Sequence, residues 1–185
     1  MEFVDWTLFA EGTHSLIYRV SIANYDFSVP YLCVKLFQPR RLLPFNLEKT
    51  AYDSFLKVQI PSEYIPQIRG YGRRTLETWG LPASSGDGDT YYGLLMEWLE
   101  GAERISAKNI TLTAACMLLN GLRRIHDAGI YHNDTFARNL VIIPEQERGV
   151  WLDFSCARTG HEQYMREEMQ NANALVLEYV FSVHL

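Results

Sequence analysis

One short stretch of this 185-residue chain, residues 132 to 139, concentrates side chains that could do chemistry. It reads His-Asn-Asp-Thr-Phe-Ala-Arg-Asn, and Asp-Phe-Ser follows at 153 to 155. Phosphoryl transfer needs a carboxylate near the attacking hydroxyl and oxygen ligands that hold Mg²⁺ against the phosphates. Asp134, Asn139 and Asp153 supply that set. The alternative is structural, with Asp134 capping a turn and Asn139 bonding to loop backbone.

Short strands and one helix are predicted to organise the first half of the chain. Val, Ile, Tyr and Leu dominate residues 6 to 10, 17 to 23 and 31 to 37, as is typical of strands, and residues 24 to 30 connect the last two. Asn46 is a plausible N-cap for a helix that Pro61 ends. Two further strands, 68 to 75 and 90 to 98, flank a mobile surface loop at 82 to 89.

The second half is predicted to place the reactive stretch between a long helix and a hairpin. From Thr111 an apolar face at helical spacing continues until near Gly129, which indicates a buried helix. Residues 140 to 143 and 150 to 154 are apolar runs joined by a charged turn, a pattern that favours a hairpin. A last helix is expected from about residue 166 to 180.

The order and spacing of these residues resemble the protein kinase superfamily. Its catalytic loop reads H-R-D-x-x-x-x-N, its metal motif reads D-F-G, and its third strand carries V-A-I-K, which residues 31 to 35, Tyr-Leu-Cys-Val-Lys, match in position. The resemblance implies an α+β, bilobal fold with a five-stranded antiparallel N-lobe sheet, one helix and an abbreviated, mainly helical C-lobe. Residues 1–185 would form one domain, with the N-lobe at about 1–97 and the hinge and C-lobe at about 98–185.

The same resemblance assigns catalytic and metal roles residue by residue. Asp134 would be the catalytic base, and Asn139 and Asp153 would hold Mg²⁺. Lys35 would contact the α- and β-phosphates of ATP and pair with Glu48. Arg138 would supply a positive charge near the γ-phosphate, as a similar arginine does in tyrosine kinases. Outside this context Lys35 is a solvated surface charge, Glu48 an acid favoured by the helix dipole, and Arg138 a surface ion-pair partner.

A nucleotide site is implied by further positions that match the family. Residues 94 to 101 resemble the strand-to-hinge passage, with Met96 as gatekeeper and the Glu97 carbonyl and Leu99 amide facing adenine. The residues expected to sandwich the ring are Ile17, Cys33 and Val141. Each of them could equally be ordinary core.

The chain departs from the family pattern at several glycines and at one arginine. Gly12 alone remains of the glycine-rich loop, and as a lone residue it is more often a turn glycine than a phosphate contact. Asn133 replaces the arginine of H-R-D, which argues against control by activation-loop phosphorylation. Ser155 replaces the glycine of D-F-G. No A-P-E motif follows, so the C-lobe is either abbreviated or truncated.

These features favour a phosphotransferase that moves the γ-phosphate of Mg-ATP to a hydroxyl, with a protein Ser, Thr or Tyr as acceptor. One alternative is a small-molecule kinase, because enzymes acting on aminoglycosides or choline also carry an H-x-D-x-x-x-x-N loop. A second is a catalytically silent pseudokinase scaffold. A third is an inactive fragment.

Composition narrows the class of partner. With 48% hydrophobic residues the chain can bury a core, and a formal net charge of -5 gives no electrostatic footprint for nucleic acid. Three widely spaced cysteines, Cys33, Cys116 and Cys156, suggest neither a disulfide framework nor a zinc site. No secretory signal or membrane-spanning run is evident. We therefore expect an intracellular, cytoplasmic protein with no membrane partner.

Overall fold

The computed structural model describes residues 3–22, 31–81 and 90–182 of a mixed α+β protein. The predicted connection at 24 to 30 and the predicted loop at 82 to 89 lie outside these ranges. The chain divides into two compact units. Unit 1 comprises Met1–Lys49 and Gln67–Trp98, and unit 2 comprises Thr50–Pro66 and Leu99–Leu185.

Unit 1 is built on a five-stranded antiparallel sheet, which confirms that part of the sequence prediction. The spatial order of the strands is β1-β2-β3-β5-β4. Their bounds are β1 Phe3–Glu11, β2 Ser15–Ile22, β3 Leu32–Phe37, β4 Ile68–Thr75 and β5 Thr90–Glu97.

The two faces of this sheet differ because side chains alternate along each strand. One face carries the cluster of Val20, Val34, Leu36 and Leu95, which packs with Trp79 to form the core of unit 1. The opposite face carries Lys35, with Ile17 of β2 and Leu94 of β5 directly across from it.

The first long helix, α1 (Leu42–Val58), begins earlier than the sequence indicated. Asn46 is not its N-cap but an exposed residue inside the helix. Pro44 explains the difference, because the first turn of a helix does not require backbone N–H partners and therefore tolerates proline. Phe45 then packs against Phe37 and Tyr92 of the sheet, with ring centroids 5.6 and 5.0 Å apart.

A second helix in the first half, α2 (Leu76–Trp79), was not predicted. Thr75 caps it by accepting a hydrogen bond from the Thr78 amide, and Gly80 ends it in the left-handed conformation at φ 88°. The helix is only one turn long, so it has no apolar period that could reveal it in the sequence. Its role is to deliver the Trp79 ring to the sheet core.

Unit 2 combines two long helices with short strands. The helices are α3 (Leu112–Asp127), capped by Thr111, and α4 (Glu162–Phe181). The strands form two small sheets, ordered β6-β8-β9 and β10-β7. Their bounds are β6 Glu103–Arg104, β7 Ile130–Tyr131, β8 Leu140–Ile143, β9 Arg148–Trp151 and β10 Arg158–Thr159. The antiparallel β8–β9 pair confirms the predicted hairpin.

Two boundaries in unit 2 differ from the predictions. The second hairpin strand ends at Trp151 instead of continuing to Phe154, because Asp153 takes a left-handed conformation at φ 60° that breaks the extended chain. The last helix starts at Glu162, one turn before the expected position. Among the described residues, no helix is long and apolar enough to cross a membrane.

Aromatic side chains form the core beneath the loop at residues 132–139 of unit 2. Phe154 meets the rings of Tyr52 and Phe55 at centroid distances of 5.6 and 4.9 Å. The indole N–H of Trp151 donates to the Leu118 carbonyl of α3 over 2.7 Å. Because these rings are almost completely buried, they fix β9 and the residues that follow it.

Candidate active site

Lys35 and Glu48 form a buried ion pair in unit 1. The ammonium nitrogen of Lys35, on β3, lies 2.5 Å from the Glu48 Oε2 of α1, and the two side chains are only 4% and 1% exposed. Desolvating two charges is costly, and the attraction repays the cost only when the geometry is good. The surface interpretations of Lys35 and Glu48 are therefore wrong.

The sheet face around Lys35 holds three of the predicted nucleotide-binding residues. Ile17 lies directly across from Lys35, and Cys33 lies across from Met96. Since directly paired residues point to the same face, and residues two apart on a strand do too, all four share one surface. Desolvation raises the pKa of the Cys33 thiol to about 12, which disfavours the reactive thiolate.

The remaining predicted nucleotide contacts of unit 1 lie in turns and at a strand end. Gly12 opens the turn between β1 and β2, where its amide donates to the Ser15 carbonyl over 2.8 Å. A Cβ added at Gly12 would meet only ordinary contacts. The Glu97 amide donates to the Gln67 carbonyl over 2.8 Å, and the Gln67 amide donates to Glu97 Oε2 over 3.1 Å.

Two predicted nucleotide contacts belong to unit 2. The Leu99 carbonyl accepts from the Ala102 amide over 3.2 Å in a turn. Val141 is buried on β8, where it pairs with Val150 and Arg104. The structure therefore gives Val141 a place in the small sheet of unit 2.

Asp134, Arg138 and Asn139 come together in the loop that precedes β8. Arg138 Nη2 lies 2.5 Å from Asp134 Oδ1, and Asn139 Nδ2 donates to Asp134 Oδ2 over 2.7 Å. The same Asn139 nitrogen donates to the Asp134 carbonyl over 2.8 Å. Each oxygen of the carboxylate therefore has a fixed partner, and the side chain of Asp134 is 18% exposed.

The hydrogen bonds of Asn139 determine which way its amide points. Because a carbonyl and a carboxylate can only accept, the nitrogen must face Asp134 and the oxygen must face away. The backbone amide of Leu152 donates to the backbone carbonyl of Asn139 over 2.9 Å, and Leu140 pairs with Trp151 across the hairpin. Asn139 and Asp153 consequently flank the same end of the hairpin.

These two side chains carry oxygen atoms of the kind that Mg²⁺ binds. Mg²⁺ takes oxygen ligands and is usually held by one or two protein groups together with waters and substrate phosphates. The amide oxygen of Asn139 and the carboxylate of Asp153 fit that donor set. Within residues 3–22, 31–81 and 90–182, no cluster of three or more His, Cys, Asp or Glu side chains is arranged to hold a metal ion.

His132 anchors the start of the loop from inside the core. Its side chain is completely buried, and burial lowers the pKa of the imidazole below 6.5, so the ring is neutral. Nε2 therefore donates to the Leu152 carbonyl over 2.8 Å. The ring also contacts Trp151 and Phe154 at centroid distances of 5.3 and 4.8 Å.

Glu168 of α4 holds the same loop from the other side, and no motif or spacing marks it as a site residue. Its carboxylate accepts from the amides of His132 and Asn133 over 2.8 and 2.6 Å and contacts His126 Nε2 at 2.9 Å. Burial raises the pKa of Glu168, but these hydrogen bonds together lower it below its ordinary value. The ionised carboxylate thus fixes the backbone next to Asp134.

Two non-glycine residues in this region have a left-handed backbone, Asn133 at φ 61° and Asp153 at φ 60°. Both are stabilised locally. The Asn133 side-chain amide donates to the Cys156 carbonyl over 3.1 Å, and Asp153 Oδ1 accepts from the Ser155 amide over 3.2 Å. Strained backbone that persists because of such bonds is common where geometry serves function.

Comparison with protein-family models and with curated proteins finds no match to this chain.

Proposed function

We propose that the chain is an ATP-dependent phosphotransferase that moves the γ-phosphate to a hydroxyl, and that its fold is bilobal and protein-kinase-like. The observation that carries the proposal is the arrangement of Asn139, whose amide nitrogen holds both the backbone and the carboxylate of Asp134. A carboxylate fixed in this way is suited to accept a proton from an acceptor hydroxyl. The amide oxygen of Asn139 points away from Asp134, in an orientation that allows it to bind Mg²⁺.

Each charged residue has a role in this proposal. Asp134 orients the acceptor hydroxyl and takes its proton, and Arg138 stabilises negative charge beside it. Asn139 and Asp153 hold Mg²⁺, which neutralises charge on the triphosphate when it is bound. Lys35 binds the α- and β-phosphates. Glu48 keeps the Lys35 ammonium in place through the buried ion pair.

The sheet face of unit 1 supports binding of a flat heterocycle. Ile17, Cys33 and Met96 offer an apolar surface next to the Lys35 charge, the combination that small-ligand sites require. We assign adenine to this face, with Glu97 supplying a backbone hydrogen bond. Because Cys33 and Cys156 are unpaired, the chain also suits a reducing, intracellular setting.

A nucleotide-binding scaffold without catalysis is the second candidate, and Gly12 favours it. Neither its backbone conformation nor the space around it requires a glycine there, so the turn has no feature specialised for phosphate. This candidate keeps the ion pair and the hairpin but needs no base.

Replacing Asp134 separates the two candidates. We expect Asp134→Asn to lower the rate of phosphate transfer from Mg-ATP by about 10²- to 10⁴-fold, because general-base catalysis is lost while the shape is kept. Asp127→Asn is the matched control, since Asp127 is an exposed carboxylate on α3. The two variants would first be shown to have equal thermal stability. Phosphate transfer would then be measured for both. An unchanged transfer rate in Asp134→Asn would show that Asp134 is not the catalytic base.

A further inference from the structure

Phe136 presents a large apolar ring to solvent inside the reactive loop. Its side chain is 57% exposed, whereas the rings of Tyr52, Phe55, Trp151 and Phe154 in the same unit are buried. The backbone of Phe136 is held on both sides, because its amide donates to the Asp134 carbonyl and its carbonyl accepts from the Asn139 amide, each over 2.9 Å. The loop thus holds the backbone that carries this exposed ring, which contributes little to the core.

Arg138 connects that ring to the carboxylate. The guanidinium carbon lies 4.4 Å from the centre of the Phe136 ring, while Nη2 lies 2.5 Å from Asp134 Oδ1. One planar cation therefore stacks on the ring and neutralises the acid at the same time. The result is a surface of three side chains, which we call the Phe136 platform: Asp134, Phe136 and Arg138.

The charge of the platform limits what can bind to it. A quaternary ammonium or a polyamine is normally recognised by aromatic faces and carboxylates that carry no other cation. Here the Arg138 guanidinium already occupies the ring face and pairs with Asp134, so a second cation would meet like charge. An uncharged apolar or aromatic group, by contrast, gains contact with the ring.

We propose that the Phe136 platform binds the acceptor, and that the acceptor is a hydroxyl compound with an uncharged apolar or aromatic group on or beside the hydroxyl-bearing unit. This inference rests on the proposed phosphotransferase function and narrows it. It disfavours choline-like and aminoglycoside-like acceptors. It favours a peptide hydroxyl with an apolar or aromatic neighbour.

A panel of small probes tests the acceptor class on the full chain. Transfer from Mg-ATP would be measured to N-acetyltyrosinamide, N-acetyl-Ser-Phe-amide, N-acetyl-Ser-Gly-amide and choline. We expect kcat/KM for the two aromatic probes to exceed that for the other two by about tenfold or more, the size of effect that one apolar contact produces. Preference for choline, or equal rates with all four probes, would overturn the inference.

Variants of Phe136 assign the preference to the ring. Phe136→Ala should raise the KM for the aromatic probes about tenfold and change kcat less, whereas Phe136→Leu should retain most of the preference. Phe181→Ala is the matched control, because Phe181 is a similarly exposed ring, 63% accessible, on α4. An unaltered preference in folded Phe136→Ala would reject the platform.

The same experiment distinguishes failure of the inference from failure of the proposed function. If a folded sample transfers phosphate to none of the probes and does not hydrolyse Mg-ATP, the proposed function fails and the inference fails with it. If transfer occurs but its kcat/KM depends neither on the aromatic group of the probe nor on Phe136, only the acceptor assignment fails.

Discussion

At the scale of single residues, His132 gives the chain a pH-dependent stability. Burial keeps its imidazole neutral in the folded state, whereas the unfolded state takes up a proton near the ordinary pKa of 6.5. The unfolded state therefore binds more protons as the pH falls below that value, and folding loses stability. Chemical unfolding should show this loss as a slope of up to about 1.4 kcal/mol per pH unit between about pH 6.5 and the lowered pKa.

The contribution of His132 is isolated by comparison with His132→Phe, which keeps an aromatic ring but cannot take up a proton. This variant should be less stable at neutral pH, because the Leu152 carbonyl loses its donor, and it should have a flatter pH profile. His161→Phe removes an exposed histidine at the start of α4 and is the matched control. Parallel profiles for the wild type and His132→Phe would refute the explanation.

Most charged and polar residues of the candidate site could be predicted from the sequence. Glu168, which holds the loop next to Asp134, could not. Lys35, Asp134 and Asn139 stand out by their order and spacing. Glu168 does not, because it lies 36 residues from His132 and a glutamate on a helix is usually exposed. Only folding brings its carboxylate to the two amides, and nothing local in the sequence signals that.

At the scale of elements, the contact of α2 with the sheet depends on Gly93 of β5, which has no side chain. A Cβ at Gly93 of β5 would approach the Trp79 ring to 2.5 Å and Leu36 to 2.9 Å. Gly93→Ala should therefore destabilise the protein by about 1 to 3 kcal/mol through overpacking, measured by urea unfolding. The loss should appear as a lower midpoint with little change in slope.

Gly72→Ala is the control for this prediction, because Gly72 pairs directly with Gly93 and faces the same indole. A Cβ at Gly72 would lie 3.8 Å from Trp79, an ordinary contact. We expect this variant to change stability by about 0.5 kcal/mol or less. Equal losses in the two variants would mean that strand propensity, and not the Trp79 contact, sets the cost.

Elements with a regular residue pattern could be predicted from the sequence. Element boundaries that depend on a single residue could not. Residue types typical of strands located the strands of unit 1, and helical spacing of apolar residues located α3. Asn46 misled the prediction for α1, because a capping residue type also occurs inside helices. The left-handed Asp153 shortened β9, and no periodic pattern reports the backbone conformation of a single aspartate.

At the scale of the whole molecule, composition predicted a folded chain with a core but could not predict its division. The boundary between the units falls inside α1, between Lys49 and Thr50. A continuous helix has one period throughout, so its sequence carries no signal for such a boundary. The five strands were predicted from their residues, whereas their assembly into one antiparallel sheet was implied only by the resemblance, and the strand order was not predicted.

We expect the folded chain to bind Mg-ATP, and thermal unfolding with and without both ligands would detect that binding. Binding to the folded state raises stability by about 1.4 kcal/mol when the ligand is at ten times its Kd. For a chain of this size that corresponds to roughly 3 to 6 °C in Tm.

The variants for this measurement are Asp153→Asn, which keeps a residue type that tolerates the left-handed backbone, and Asp127→Asn as the exposed control. We expect a rise in Tm that requires both Mg²⁺ and ATP, persists in Asp127→Asn and disappears in Asp153→Asn. A well-folded wild-type sample whose Tm does not change at millimolar Mg-ATP would contradict this expectation.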